Sequence, residues 1–540
     1  MELAPSAHVD TFCRDNLPPA DQWPELRFDL PELRYPDRLN CAAALLDDAV
    51  AGRGPDRPCL RTDADTWTYG ELLARANQLA HVLTRELGVV PGGRVLLRGP
   101  NNPWLVACWF AVLKAGGVAV TTVPMLRTLE LRQLIELTRS TVALCDVRFA
   151  ADLAPAAAET GLTLACYGGT GADDIAVRAA GQPTTFENVD TAADDVALLA
   201  ATSGSTGVPK VTMHFHRDVL AIADTFGRHQ VQGRPDDVFT GTPPLGFTFG
   251  LGGLLVFPLR VGASTLLIEK ATPVQLAEAV ARHQATVVFT APTGYRAMLR
   301  ARCEHLLTSV RRAVSAGEHL PKAVWEEFSA RTGIALIDGI GSTEMLHVFV
   351  SAADDEIRPG ATGRAVPGYV AAVLDDDGNP APDGVPGRLA VKGPTGCRYL
   401  ADPRQQVYVQ GGWTITGDTY VRDADGYFWY QARSDDMIVS SGYNIGAPEV
   451  EQAVDRHPDV VECAVVGRPD PDRGQLVHAV VVLREGVDGD AAKVAELQEF
   501  TKGLIAPYKY PRSIEFVAEL PRTSTGKVQR YRLREPQPTS

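Results

Sequence analysis

Strand-like and helix-like segments alternate along most of this chain, and this alternation most constrains its fold. Residues 94–97 form a short apolar strand candidate, and residues 102–115 follow with helical periodicity that ends at Gly116-Gly117. Residues 118–123 are again apolar and β-branched. The same rhythm recurs at 142–146, 263–268, 286–290 and 312–315. Because parallel strands need a crossover segment between them, the pattern predicts α/β layers with largely parallel sheets.

A change of composition divides the 540 residues, a length too great for one hydrophobic core. Residues 360–421 are rich in Gly, Pro and Asp, with short strand candidates at 369–374 and 387–391, which indicates a more antiparallel β subdomain. After Arg433 a polar Ser-Asp-Asp step precedes a tail with the pattern of a small α+β domain. We therefore predict an α/β protein with an N-terminal domain at 1–434, containing layered α/β sheets and the β subdomain, and a small α+β domain at 435–540.

Charge and cysteine content disfavour several classes of protein. The chain has 52 Lys and Arg against 66 Asp and Glu, a net charge of −14, so its surface repels phosphate backbones and we expect no nucleic-acid partner. The nine cysteines are scattered without a C-x-x-C pair, which disfavours a zinc site and suits a reducing cytoplasm. The first residues lack the apolar core of a signal peptide. Lys114 and Gly116-Gly117 interrupt the apolar stretch 104–123, so we expect no membrane span.

The string Thr202-Ser203-Gly204-Ser205-Thr206-Gly207-Val208-Pro209-Lys210 follows a strand candidate at 195–201. Its glycines let the backbone approach an anion closely, its hydroxyl groups are donors, and Lys210 supplies positive charge. These are the parts that a polyphosphate site needs. The string is not a Walker A loop, because no G-x-x-x-x-G-K-[ST] pattern is present. An ordinary Ser/Gly turn is the alternative, and the full combination of nine residues disfavours it.

Three further motifs are less specific when each is taken alone. In the string Asp338-Gly339-Ile340-Gly341-Ser342-Thr343-Glu344, a carboxylate beside a hydroxyl suits Mg²⁺ near ATP phosphates, since a bare carboxylate would repel them. A helix N-cap at Ser342 or Thr343 explains the same residues at least as well. The string Thr416-Gly417-Asp418 indicates a structural turn, and 521–530 a solvated basic tail.

Together and in this order, the four motifs resemble those of the adenylate-forming superfamily of acyl-CoA ligases, adenylation domains and luciferases. The resemblance spans residues 40–530, and the strings 8–19, 339–347 and 434–449 are most similar to benzoate-CoA and 2-aminobenzoate-CoA ligases. Two positions depart from the usual motifs. Ala432 precedes Arg433 where Gly is usual, and Val211 follows Lys210 where Gly is usual. Both departures affect loop geometry rather than the charged groups.

The resemblance implies how the motif residues would bind ATP. The residues that would hold the phosphates are Thr202, Ser203, Gly204, Ser205, Thr206, Gly207 and Lys210. Those that would flank the adenine are Ala316, Gly317, Glu318, Asp338, Gly339 and Ile340. Asp418 would bind the ribose hydroxyls, helped by Arg433. Thr343 would contact a phosphate, Glu344 would help to hold Mg²⁺, and Lys527 would be the catalytic lysine of adenylation.

The same resemblance implies an acid pocket and a moving domain. The candidate pocket residues are Phe247, Gly339, Gly341 and His347. Small residues with phenylalanine suit a flat aromatic ring better than a long alkyl chain, although core packing explains a single Phe or His equally well. Asp435 would be the hinge of a rotating small domain. Ser441 and Gly442 would line the path of coenzyme A.

The implied activity is that of an ATP-dependent aryl-CoA ligase that uses ATP, Mg²⁺ and coenzyme A. The subgroup favours an ortho-substituted benzoate, such as 2-aminobenzoate or salicylate. A stand-alone enzyme that loads an aryl group onto a carrier-protein phosphopantetheine is the nearest alternative. A luciferase-like oxygenase and a non-catalytic nucleotide-binding protein are the others, and the four charged residues Lys210, Glu344, Asp418 and Lys527 disfavour the latter. Both a monomer and a homodimer are compatible with the sequence.

Overall fold

A computed structural model describes residues 3–126, 128–202, 209–433, 437–440, 443–470, 474–505, 509–523 and 526–534. Its internal contacts divide the chain into two compact units. The first comprises Met1–Ala371 and Ala390–Ile415, and the second comprises Ala372–Leu389 and Thr416–Ser540. The sequence-based boundary at residue 434 stays a prediction.

Sheet A of the first unit has six strands. In spatial order they are Thr163–Tyr167, Val142–Asp146, Arg94–Arg98, Val118–Thr122, Val196–Thr202 and Lys210–Phe215. All neighbours are parallel except the last pair, which is antiparallel. The three strands at 94–98, 118–122 and 142–146 are buried along their whole length, as is typical of a parallel sheet covered on both faces.

Sheet B of the first unit has nine strands. Their spatial order is Arg364–Ala365, Val348–Ser351, Leu336–Gly341, Arg312–Ala316, Val287–Thr290, Val238–Gly241, Ser264–Leu266, Pro58–Arg61 and Thr66–Thr68. The central strands are parallel, and antiparallel pairs close both edges. The predicted parallel α/β layers are therefore confirmed.

Helices connect and cover these strands. The α-helices of the first unit are Phe12–Asp15, Asp48–Arg53, Tyr69–Arg85, Pro103–Lys114, Thr128–Thr138, Ala150–Thr160, Ile175–Ala179, His216–Ile222, Thr248–Leu251, Phe257–Val261, Pro273–His283, Pro292–Ala301, Lys322–Thr332 and Gln405–Tyr408. Wider π-helical turns extend three of them at Ala43–Asp47, Ala223–Val231 and Gly252–Val256. Short 3-10 turns lie at Ala20–Gln22, Pro31–Leu33, Val147–Phe149, Glu304–Leu306 and Asp354–Glu356. No described helix is long and apolar enough to cross a membrane.

Local chemistry explains where the helix that follows the first strand of sheet A begins and ends. The Asn102 side chain accepts a hydrogen bond from the amide of Leu105, and proline occupies the first helical position. Gly116 lies just beyond the end with a φ of 72°, a conformation that glycine adopts without steric cost. The predicted helix at 102–115 is therefore confirmed, one residue shorter at each end.

Five further strands follow sheet B along the chain: Val370–Leu374, Gly387–Lys392, Val409–Gln410, Trp413–Arg422 and Phe428–Arg433. The last two pair antiparallel, as do the third and fourth, which agrees with the antiparallel character expected here.

The rest of the second unit is a small α+β structure. A five-stranded sheet contains Tyr443–Gly446, Met437–Ser440, Gly474–Leu483, Val460–Asp470 and Ser513–Phe516. The accompanying helices are Ala447–Val454, Ala491–Leu504 and Arg530–Arg534. Buried aliphatic side chains from the sheet and from the first two helices form one core. The predicted α+β character of this region is confirmed.

Candidate active site

The two ends of the predicted phosphate loop are held together by sheet A. Thr202 ends one strand, Lys210 begins the next, and the two residues are opposite partners in the antiparallel pair. Ser203, Gly204, Ser205, Thr206 and Gly207 lie outside the described residues. The structure therefore places the base of this loop at the carboxyl end of an inner strand of sheet A, where ligands of α/β sheets commonly bind.

Lys210 lies in a compact charged cluster with Glu344, Tyr399 and Tyr408. Its ammonium donates a hydrogen bond to the Tyr399 hydroxyl at 2.8 Å and lies 3.7 Å from the ring centroid of Tyr408. The Tyr399 hydroxyl in turn donates to Glu344, whose carboxylate is 3.6 Å from the Lys210 ammonium. The structure thus brings together two of the predicted charged residues, which are 134 positions apart in the sequence.

Tyr399 is held rigidly and stays protonated. Its backbone amide donates to the Gln405 side chain at 2.9 Å. On either side of the Thr212–Tyr399 bridge, the Leu400 amide donates to the Val211 carbonyl and the Arg398 carbonyl accepts from the Met213 amide. Burial, with the neighbouring Glu344 carboxylate, raises the pKa of the Tyr399 hydroxyl far above its usual range. The sequence interpretation missed Tyr399 and Tyr408, because no motif marks them and only the tertiary fold brings them to Lys210.

Thr343 and Glu344 lie in a tight turn rather than at the start of a helix. The strand Leu336–Gly341 leads into this turn, and the antiparallel strand Val348–Ser351 leaves it, so the N-cap interpretation of Ser342 or Thr343 is wrong. Met345 and Leu346 are fully buried and anchor the turn. The ring Nε2 of His214 is 2.9 Å from the Thr343 carbonyl, and burial lowers the pKa of His214 to about 3, so the ring is neutral.

Glu344 fits the role of a magnesium ligand. Its contacts with Tyr399 and Lys210 both use Oε1, which leaves Oε2 without a partner among the described residues. Mg²⁺ takes hard oxygen ligands and is commonly held by one or two carboxylates together with substrate phosphates. A single well-held carboxylate beside a phosphate-loop lysine matches that requirement.

The segments predicted to flank the adenine are neighbours in sheet B. Ala316 is the parallel partner of Gly339, and Ser315 is the partner of Asp338. A Cβ atom at Gly339 would lie 2.6 Å from the Val348 side chain, so this position requires glycine. Burial raises the pKa of the Asp338 carboxyl, and its Oδ1 has no hydrogen-bond partner within the described residues. Two residues after Ala316, the Glu318 carboxylate accepts a hydrogen bond from the Thr293 hydroxyl at 3.3 Å.

His347 lies among aromatic rings, below the turn that carries Glu344. Its ring centroid is 4.6 Å from that of Phe257, 5.3 Å from that of Phe226 and 5.7 Å from that of Phe249. Burial lowers the pKa of His347 to about 3, so the ring is neutral. The half-buried Phe247 precedes the helix Thr248–Leu251, whereas Phe249 is the phenylalanine of this segment that packs against His347.

Close packing also requires the glycines around His347. A Cβ atom at Gly341 would lie 2.6 Å from the His347 carbonyl oxygen, and one at Gly252 would lie 2.3 Å from the imidazole Cδ2. The backbone at Gly341 and at Gly252 therefore lies so close to His347 that a residue larger than glycine would overlap it.

The second unit carries the remaining candidates. Asp418 and Arg433 are direct partners in the antiparallel pair, so Thr416-Gly417-Asp418 lies within a strand and not in a free turn. Lys527 is exposed in a short hairpin, where its amide donates to the Thr523 hydroxyl at 3.2 Å. Asp435, Ser441 and Gly442 lie outside the described residues, as does the Arg433 side chain.

One other cluster in the second unit has the composition of a metal site. His457, Asp459 and Glu496 lie close enough to share an ion. The Lys493 ammonium already bonds to Asp459 at 2.7 Å and to Glu496 at 2.6 Å. Lys493 lowers the pKa of both carboxyl groups, so the cluster is a satisfied ion-pair network.

Comparison with known proteins identifies two matching family models. Residues 47–399 match the family described as AMP-binding enzyme, and residues 449–527 match the AMP-binding enzyme C-terminal domain. The chain is 36% identical to a benzoate–CoA ligase of Thauera aromatica over 513 residues, which cover 93% of this chain and 97% of that protein.

Two solved structures illustrate the similarity of the fold. An anthranilate CoA ligase in complex with anthranoyl-AMP has a TM-score of 0.88 and 32% identity, with 94% of this chain and 98% of that chain covered. The ATP-bound MatB of Rhodopseudomonas palustris has a TM-score of 0.83 and 32% identity, with 92% and 98% covered.

Proposed function

Because the chain belongs to the AMP-binding enzyme family and is an AMP-forming acid–CoA ligase, we propose that it activates an aromatic carboxylic acid and transfers the acyl group to coenzyme A. We further propose that an ortho-substituted benzoate, such as 2-aminobenzoate or salicylate, is its preferred acid. The similarity to a benzoate–CoA ligase supports an aromatic acid, and the similarity to an anthranilate CoA ligase supports an ortho substituent.

One observation carries the proposal: a single hairpin presents both the charged and the aromatic parts of the site. The strand Leu336–Gly341 supplies glycines, the turn supplies Glu344 beside Lys210, and His347 follows three residues later among phenylalanine rings. A benzoate has this same polarity, with a carboxylate at one end and a flat ring at the other. The neutral His347 ring has one nitrogen that donates and one that accepts, which suits a polar ortho substituent.

The mechanism begins from a poor acyl donor. A carboxylate oxygen attacks the α-phosphorus of ATP, the bond to the β-phosphate breaks, and pyrophosphate leaves with the electron pair. The product is a mixed anhydride whose leaving group is AMP, so the thiol sulfur of coenzyme A can attack its carbonyl carbon, lose its proton and release AMP. Because both reactants in the first step are anions, cationic groups must be held in place before reaction.

Each candidate site residue has a distinct task in adenylation. Lys210 supplies positive charge at the base of the phosphate loop, and Glu344 would hold Mg²⁺, which neutralises phosphate charge when bound. Lys527, in the second unit, would stabilise the pentacoordinate α-phosphate. Asp418 and Arg433 would bind the ribose, and the edge that carries Ala316 and Gly339 would bind the adenine.

The substrate is tested by measuring pyrophosphate release with benzoate, 2-aminobenzoate, 3-aminobenzoate, salicylate and octanoate. We expect the ortho-substituted acids to have the highest kcat/KM, and 3-aminobenzoate is the matched control for substituent position. Octanoate as the best substrate would overturn the aryl assignment. A preference for plain benzoate would overturn only the ortho assignment.

The acyl acceptor is tested with the preferred acid and two thiols. Mass spectrometry of reactions with free coenzyme A, and with a phosphopantetheinylated carrier protein, separates the proposed ligase from a carrier-loading enzyme. We expect aryl-CoA as the product. Acylation of the carrier alone would contradict the assignment of coenzyme A.

A further inference from the structure

We propose that Tyr399 is a positioning residue that couples Glu344 to Lys210 and orients the Glu344 carboxylate for Mg²⁺·ATP. This inference rests on the proposed function and assigns a role to a residue outside the motifs. The Tyr399 hydroxyl is the only atom in the described part of the chain that bonds to both charged groups: it accepts from the Lys210 ammonium and donates to Glu344 Oε1.

The two hydrogen bonds of the Tyr399 hydroxyl can run in only one direction. A phenol has a single proton to donate, and the Lys210 ammonium can only donate, so the phenol proton must point to the carboxylate. The Lys210 ammonium is 3.6 Å from the same carboxylate oxygen. Both interactions therefore hold Oε1, and the carboxylate is turned so that Oε2 is the oxygen left for a cation.

The surroundings make Tyr399 a rigid support. Gln405 fixes its backbone, because the Gln405 side chain accepts from the Tyr399 amide at 2.9 Å and donates to the carbonyls of Cys397 and Gln22 at 3.0 and 2.9 Å. The Tyr408 ring packs edge-on against Tyr399, with centroids 5.5 Å apart, and faces the Lys210 ammonium. Groups that orient a metal ligand change metal affinity by about 10–100-fold when they are removed.

The test is the substitution Tyr399→Phe, which removes the hydroxyl and keeps the ring. We expect the affinity for ATP, measured by calorimetry without an acid at several Mg²⁺ concentrations, to lose most of its dependence on Mg²⁺. The apparent Mg²⁺ affinity should fall about 10–100-fold. In steady-state assays the KM for Mg²⁺·ATP should rise, and the KM for the aryl acid should not change.

Tyr167→Phe is the matched control. Tyr167 lies on one edge strand of sheet A, at the opposite edge from the strand that begins at Lys210. Its buried hydroxyl has no hydrogen-bond partner among the described residues. This variant should bind ATP as the wild type does. Thermal unfolding of both variants checks that the fold is retained.

A double-mutant cycle with Glu344→Gln tests whether Tyr399 acts through Glu344. If it does, Tyr399→Phe should change ATP binding less than twofold in the Glu344→Gln background. An equal loss in both backgrounds, or unchanged Mg²⁺ dependence in the single variant, would overturn the inference while leaving the proposed function intact. A wild-type protein that releases no pyrophosphate would overturn the proposed function, and this inference with it.

Discussion

At the scale of single residues, the candidate site brings together charged side chains that are far apart in the sequence. Lys210 and Glu344 come from different sheets and meet at 3.6 Å, with both side chains largely shielded from water. Shielding strengthens their electrostatic effect on a bound phosphate, since water no longer screens it. Lys527 differs, because it is exposed in a short hairpin of the second unit.

We predict that Lys527→Ala slows adenylation by about 10²–10³-fold and spares thioester formation. Loss of one positioned donor at a developing charge costs about 10²–10³ in rate, and the second half-reaction forms no pentacoordinate phosphorus for this lysine to stabilise. ATP–pyrophosphate exchange measures the first step, and the reaction of supplied acyl-adenylate with coenzyme A measures the second. Lys502→Ala, which removes a half-buried lysine paired with Glu499, is the control. Equal losses in both steps would contradict the prediction.

At the scale of elements, one helix and one hairpin shape the aromatic part of the site. The helix that starts at Thr248 continues through a π-helical turn at Gly252–Val256 and presents Gly252 to the His347 ring. π-helical turns inside α-helices are frequent at functional sites. Within the hairpin, Gly341 packs against the His347 backbone. The position of the imidazole therefore depends on two glycines from different elements.

We predict that Gly252→Ala lowers kcat/KM for the aryl acid and leaves the KM for ATP unchanged. The added methyl group would lie 2.3 Å from the His347 ring and must displace it, at a cost of about 1–3 kcal/mol. Steady-state kinetics with each substrate varied in turn gives the result. Gly52→Ala, where a Cβ atom meets nothing within 4 Å, is the matched helical control. An unchanged kcat/KM for the acid would exclude His347 from the pocket.

At the scale of the whole molecule, the chain has two compact units, and the predicted catalytic groups are divided between them. Lys210 and Glu344 belong to the first unit, whereas Asp418 and Lys527 belong to the second. In the proposed mechanism adenylation uses groups from both units, and the thiol of coenzyme A then reacts at the same carbonyl carbon. We therefore propose a rotation about Asp435 between the two half-reactions, as the resemblance implied.

We predict that Asp435→Pro slows thioester formation more than adenylation. Proline restricts its own φ and the conformation of the preceding residue, so a backbone change at this position becomes costly. Single-turnover assays of each half-reaction provide the measurement. Asp425→Ala, a surface position in a neighbouring turn, is the control. Unchanged overall turnover would contradict the placement of the hinge.

Buried neutral histidines should make the protein sensitive to acid. Burial lowers the pKa of His214, His216 and His347 to about 3, below the usual value of 6.5. Between pH 3 and 6.5 the unfolded chain binds protons that the folded chain excludes, so stability falls as the pH falls through this window, by about 1.4 kcal/mol per pH unit for each histidine.

We predict that His216→Gln makes the fall of the melting temperature between pH 6.5 and 4 shallower than in the wild type. Glutamine removes one excluded proton and can still accept the hydrogen bond that the Cys41 amide donates to His216. Thermal scans at half-unit pH steps show the slope, and exposed His305→Gln is the control. Parallel slopes for His216→Gln and wild type would refute the prediction.

The local sequence determines the elements because their causes are local. Hydrophobic periodicity, the Asn102 cap and Gly116 specify the helix Pro103–Lys114, and an apolar β-branched run specifies the strand that follows it. Where the cause is not local, the sequence interpretation fails. The turn at Ser342–Glu344 has the composition of a helix start, but strand pairing across Gly339 and Ser351 makes it a hairpin.

The identity of the motifs, their order and the charges they carry are properties of the sequence alone, because each motif is a contiguous string of residues. Only the tertiary structure decides which distant residues support them. Tyr399 joins Lys210 to Glu344, and the rings of Phe226 and Phe257 surround His347, through contacts between segments far apart in the chain. No local pattern encodes such contacts, since they depend on how sheets and helices pack.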